Sequence, residues 1–286
     1  MYLISTVRQC ARFRNERPSP TRSDAHRGAV RDHPPPSGCR LPARTDRART
    51  LPALRSLAPF ALAFPLALAI GAIGPAPTTA AVSRGGAQSA DVEFPSAGGL
   101  HLRGRQYGRG ARWVILVHDE GEDSQAWRGL PGQLSAQGLH VLAFDLRGYG
   151  ASDGPRDARR VRADVAAALR FARSRGAGHL YVIGAGIGAG EALVAGTNYP
   201  IRAFVALSPR LSRSHSVRQT RAPKLIFVGS LNDLAAAQAD AFFRRSIGFA
   251  TLNSTPVAVQ GTALLRSSWG AEVRELIGLF LRDYGA

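Results

Sequence analysis

The run HLYVIGAGIGAGEALVAG, His179 to Gly196, decides the fold. Its opening, His179-LYVIG, is apolar without alternation, as a strand covered on both faces reads. From Ile187 to Thr197 the pattern is helical. Gly184, Gly186 and Gly188 take every second position of the joint between the two. A strand that turns at once into a helix through glycines has two known uses. It presents one central residue on a strained turn, or it brings a helix N-terminus to a phosphate. Either use puts the chemistry at the carboxyl end of a parallel strand.

The same alternation extends outward. Asp91-VEFPS and Leu100-HLRGRQYG read as an opening strand pair around Gly98-Gly99. Arg112-WVILVHD and His140-VLAFD are further buried strands. Patterns from Trp127 to Gly138 and from Arg156 to Arg175 are helical, each ending at a glycine. After the joint come strands Ile201-RAFVALS and Pro223-KLIFVG, a helix from Leu234 to Ser246, a last strand within Ala250 to Val259, and an amphipathic helix from Val273 to Tyr284. Strands alternating with helices predict an α/β fold: a mainly parallel sheet of about eight strands flanked by helices, occupying residues 91–286.

The residues just after the strands carry whatever chemistry there is. They are Val117-His118-Asp119-Glu120-Gly121, the turn Asp145-LRGYGASDG, the glycine joint, Ser208-Pro209-Arg210, Phe227-VGSLND and Gln260-GTALL. Together these resemble the α/β-hydrolase superfamily, and within it the lidless dienelactone-hydrolase-like members, over residues 100–284. The resemblance implies a His-Gly loop where this chain has His118-Asp119. It implies a D-x-R-G-x-G-x-S turn at Asp145, read here as shaping a loop and capping a helix. It also implies a G-x-S-x-G nucleophile elbow at Gly184 to Gly188, with Gly186 in the serine position. The acid of the triad would fall at Asp233, whose plainer role is the N-cap of the next helix. The histidine would fall at Gln260, and an amide neither takes nor gives a proton near neutral pH. An oxyanion hole survives in this reading as the backbone N–H of Ile187 and a residue near Asp119, with His118 and Ser208 lining the pocket.

Loss of serine or histidine from such a triad costs about 10⁶ in turnover, and an oxyanion hole alone supplies roughly 10³–10⁴ over water. The expected function is therefore binding, of a small molecule or a protein, in a pocket above Gly186. Two alternatives stand beside it. One is an active esterase using displaced residues such as His118. The other is dinucleotide binding through Gly184 to Ala189, which fits G-x-G-x-x-[GA] but lacks an acidic residue about 20 positions on. No cofactor and no metal are expected, since no His, Asp or Glu pair has ligand spacing. Cys10 and Cys39, the two cysteines, both precede the domain, so it has no thiolate site.

Residues 1–56 hold twelve arginines, no lysine and four acidic residues, with Pro34, Pro35 and Pro36 in a row, and read as a disordered tail. Leu57 to Ile73 is apolar, lies in 28 uncharged residues between Arg55 and Arg84, and is followed by Thr79-Ala80-Ala81. Residues 57–82 therefore read as a secretory signal or a retained anchor, with a start of translation downstream of Met1. The expectation is an exported or membrane-anchored domain, touching membrane only if residues 57–73 are retained. The net charge is +17, of which the tail carries +8. No basic stripe is interleaved with aromatics, so nucleic acid is not expected. Of the 37 basic residues only Lys224 is lysine.

Overall fold

The computed structural model of the chain describes residues 8–9, 89–211 and 220–284. The readings made for the N-terminal tail and for residues 57–82 lie outside these, apart from Arg8 and Gln9. Nine strands form one sheet in the order β1-β9-β8-β7-β6-β4-β5-β3-β2. They are β1 (Arg8–Gln9), β2 (Ser89–Pro95), β3 (His101–Tyr107), β4 (Arg112–Val117), β5 (His140–Phe144), β6 (His179–Ala185), β7 (Ile201–Leu207), β8 (Lys224–Gly229) and β9 (Ala250–Thr255). β4 to β9 run parallel, and β1, β2 and β3 pair antiparallel.

The helices α1 (Leu130–Ala136), α2 (Val161–Ser174), α3 (Gly186–Ala195), α4 (Asp233–Arg245) and α5 (Gly270–Asp283) cover both faces. In β4, Trp113, Ile115 and Val117 join the cluster shared with α2, α3 and α4, while Val114 and Leu116 join the one shared with α1 and α5. All five are fully buried, which is why the strand reads as a continuous apolar run. From β4 the chain passes to β5 on one side, and β6 then lies on the other. The crevice at the carboxyl ends of β4 and β6 is thus the switch point where doubly wound sheets bind ligands.

Two sequence expectations shift. The helix predicted from Trp127 is instead a 3-10 turn, Ser124–Trp127, then α1 from Leu130. Arg128 has φ +49, outside the helical region, and breaks the run; Pro131 then suits the first turn of α1. The Asp145 turn shapes its loop and, among the described residues, caps no α-helix. Asp145 Oδ1 accepts from the Ser124 amide at 2.8 Å and Oδ2 from the Ala151 amide at 2.9 Å. Arg147 is buried against Asp164 of α2, with Nη2 2.6 Å from Oδ1. The cap of the 3-10 turn before α2 is Asp157.

One residue at the opposite end of the sheet holds the β8 register. Lys224 is fully buried, and its Nζ donates to the carbonyls of Thr220, Ala222 and Ile247 at 2.7–2.9 Å. An ammonium has three tetrahedral donors for three carbonyls, whereas a guanidinium is a wide planar fork. That explains a lysine here in a chain otherwise basic only through arginine.

Candidate functional site

The turn from β6 into α3 passes through Gly186, which has φ +49. This is a left-handed conformation that glycine adopts at little cost. A side chain at Gly184 would strike Ala189 backbone at 2.4 Å, and one at Gly188 would strike the His118 carbonyl at 2.3 Å. These two glycines let α3 lie against β6 and the end of β4.

A Cβ placed on Gly186 would lie 2.0 Å from the Asp119 carboxyl carbon and 2.0 Å from each of its oxygens. Asp119, from the loop after β4, thus fills the space that a side chain on the elbow would take. Its Oδ1 accepts three hydrogen bonds: from the Glu120 amide at 2.7 Å, the Ile187 amide at 2.9 Å and Arg210 Nη2 at 2.8 Å. A negative charge at the N-terminus of α3 is favourable by about 0.3–1 kcal/mol. Arg210 bridges Asp119 to Glu120, 3.1 Å away, and its amide donates to the Gly186 carbonyl at 2.9 Å. Gly261 arrives from the loop after β9, its would-be Cβ 3.7 Å from Asp119 Oδ2. The cavity beside Ile187, lined also by Glu120, Leu146, Arg147, Tyr149 and Asp157, has a volume of about 10 Å³. That is room for one water at most.

The family described as serine aminopeptidase S33 matches residues 109–248. Solved structures similar to this one include an esterase from Pyrococcus furiosus, 20% identical, covering 69% of this chain and 93% of that one with a TM-score of 0.61. A dienelactone hydrolase from Anabaena variabilis is 22% identical over 70% of this chain and 99% of its own, TM-score 0.57. A lidless α/β serine hydrolase from Xanthomonas campestris is 19% identical over 69% and 95%, TM-score 0.58. No curated protein matches the sequence. The chain has the α/β-hydrolase fold.

The sequence resemblance implies a triad on the elbow, on the loop after β8 and on the loop after β9, and the structure places the residues of these three loops differently. Gly186 and Gln260 belong to loops that meet around Asp119, but Gln260 itself is exposed. At the end of β8, Asn232 is the N-cap of α4, accepting from the Ala235 amide at 3.0 Å, and its amide nitrogen donates to the Ala258 carbonyl. Asp233 is exposed in the first turn. The cap expected at Asp233 is therefore one residue earlier, and Asn232 is the side chain that reaches the loop leading to Gln260. Asn232→Ala should cost about 1 kcal/mol, seen as a melting temperature lower by roughly 2–4 °C. Asp233→Ala should change it little, and the reverse order would reassign the cap.

His118 is fully buried. The Leu146 amide donates to its Nε2 at 3.0 Å, so the proton sits on Nδ1 and is donated to the Asp119 carbonyl at 2.8 Å. Burial lowers its pKa below the ordinary value. The ring is neutral at pH 7 with both nitrogens engaged, which fits a clamp between the β4 and β5 loops. His101 also lies at this end of the sheet, because β3 runs antiparallel, but it is two strands away from β4 and 3.8 Å from Asp153. Ser208 is buried, has φ +44, and its hydroxyl has no partner among the described residues. Among the described residues no group of three His, Cys, Asp or Glu is placed to hold a metal ion. No described helix is long and apolar enough to cross a membrane.

Sequence reasoning missed Arg210 and the role of Asp119. The signal was there in part. Where the resemblance implies glycine after His118 and serine at position 186, this chain has Asp119 and Gly186, a side chain exchanged between two loops that touch.

Proposed function

We propose that this α/β-hydrolase-fold protein does not hydrolyse esters and acts by binding. The observation that supports this most is the Asp119 carboxylate, which stands where a nucleophile would project and takes the Ile187 N–H that an oxyanion would need. Gln260 in the histidine position agrees with it, since neither proton transfer nor nucleophilic attack has a residue in place. The space directly above Gly186 is filled, so a ligand reaching the elbow must first displace Asp119. The same carboxylate argues against a dinucleotide, whose pyrophosphate would need the α3 N-terminus that Asp119 holds. The uncharged segment at residues 57–82 makes the domain an exported one in this reading, which mass spectrometry of the mature N-terminus tests.

The deciding assay is hydrolysis of p-nitrophenyl acetate and butyrate by the purified chain, with labelling by a serine-directed fluorophosphonate. Neither turnover above buffer nor labelling is expected. Turnover well above background would overturn the reading and return attention to Ser208 and Asp119.

A further inference from the structure

A separate concavity of about 400 Å³ opens between the loops after β4 and β5, with Glu122, Asp123, Arg128, Tyr149, Arg156 and Arg266 in its wall. That volume suits a small ligand. Among the described residues, none of its three guanidiniums is paired with a carboxylate. Both acids of the wall have other partners. Glu122 accepts from the Thr262 hydroxyl and the Asp119 amide, and Asp123 from the Gln125 amide. Two of the arginines are held ready. Arg156 stacks 4.5 Å from the Tyr149 ring centre and donates Nε to the Gly148 carbonyl, and Arg266 donates one Nη to the Ala126 carbonyl. In each case the remaining guanidinium N–H groups are left for a ligand.

The third arginine is there against its backbone preference. Arg128 has φ +49 and ψ −127, a corner that favours glycine, and a glycine is its very next neighbour. Such a conformation costs a non-glycine residue about 1–3 kcal/mol. A guanidinium kept at that position against the strain points to a use for it.

We propose that this cleft binds a phosphorylated small molecule, its dianionic phosphate held by Arg128, Arg156 and Arg266. Guanidinium forks match phosphate oxygens in pairs, and a phosphate offers three terminal oxygens to three forks. The site is independent of whether the chain hydrolyses esters. A free phosphomonoester and a phospholipid headgroup share this chemistry.

The test is calorimetric titration of the full chain with inorganic pyrophosphate and with glycerol phosphate at low ionic strength, beside flotation with vesicles containing phosphatidic acid. Saturable one-site binding is expected, weakened at least about tenfold by each of Arg128→Gly, Arg156→Gln and Arg266→Gln. Arg245→Gln, at the end of α4, should leave it unchanged. Arg128→Gly should at the same time raise the melting temperature, separating lost binding from lost folding. Binding to the vesicles alone, lost in the same three variants, would assign the phosphate to a headgroup. Absence of binding in both arms overturns the proposal. So does a loss with Arg245→Gln equal to the others, or an Arg128→Gly protein that is stabilised yet binds as before.

Discussion

A chain carrying Asp119→Gly, Gly186→Ser and Gln260→His together should hydrolyse p-nitrophenyl butyrate at least about 10²-fold faster than the wild type, while Gly186→Ser with Gln260→His alone should not. The difference lies in one contact. The serine Cβ would lie 2.0 Å from the Asp119 carboxylate, which three hydrogen bonds to Oδ1 hold in place. Removing Asp119 frees both the space and the Ile187 N–H for an oxyanion, a donor worth about 10²–10³ in such sites. The gain stays well short of the roughly 10⁶ that a full triad contributes, because Asn232 is no carboxylate and the new histidine has no partner to orient it. Equal activity in the double and triple variants would show that Asp119 does not block the elbow. A serine at position 186 must turn the Asp119 carboxylate out of its three hydrogen bonds.

The second large effect concerns Lys224. Lys224→Met should lower stability by about 1–3 kcal/mol, as leaving buried acceptors without their donor does, which for a domain of this size is a melting temperature lower by several degrees. The carbonyls of Thr220, Ala222 and Ile247 lose their donor, and the methionine thioether supplies none. Lys224→Arg should fare no better, because the planar fork does not fit three converging carbonyls. Burial pushes the ammonium down to about 8 from 10.5. Between those values the unfolded chain keeps a proton that the folded one has released. The contribution of Lys224 to stability is therefore level below pH 8 and increases as pH rises towards 10.5. Denaturant midpoints across that window should climb for the wild type relative to Lys224→Met, and parallel curves would contradict the assignment.

Much of the architecture was legible in the sequence for physical reasons. The strands β4 to β8 are buried on both faces and must be continuously apolar. A strand joined to a helix through Gly184, Gly186 and Gly188 can make few other turns. Element ends were less legible. Trp127 to Gly138 has a helical pattern, but only backbone geometry shows that Arg128 leaves the helical region. Asn232 and Asp233 are equally good caps, and adjacent residues of equal propensity cannot be ranked from sequence. The candidate site was half legible. The order of strands and helices put Gly186 at the turn from β6 into α3 and Gln260 in the loop after β9, and both are found there. The Asp119 contact joins residues 67 or more positions apart, and no local pattern reports what fills a space created by a distant glycine.

The single lysine has a practical consequence. In the folded chain Lys224 is out of reach of any amine-reactive label, whereas on unfolding it becomes the one side-chain amine in the molecule. Acylation at Lys224, followed by mass spectrometry over time, would thus count opening events of the β8 end of the sheet directly. The protein carries its own clock for its conformational lifetime, without any introduced probe.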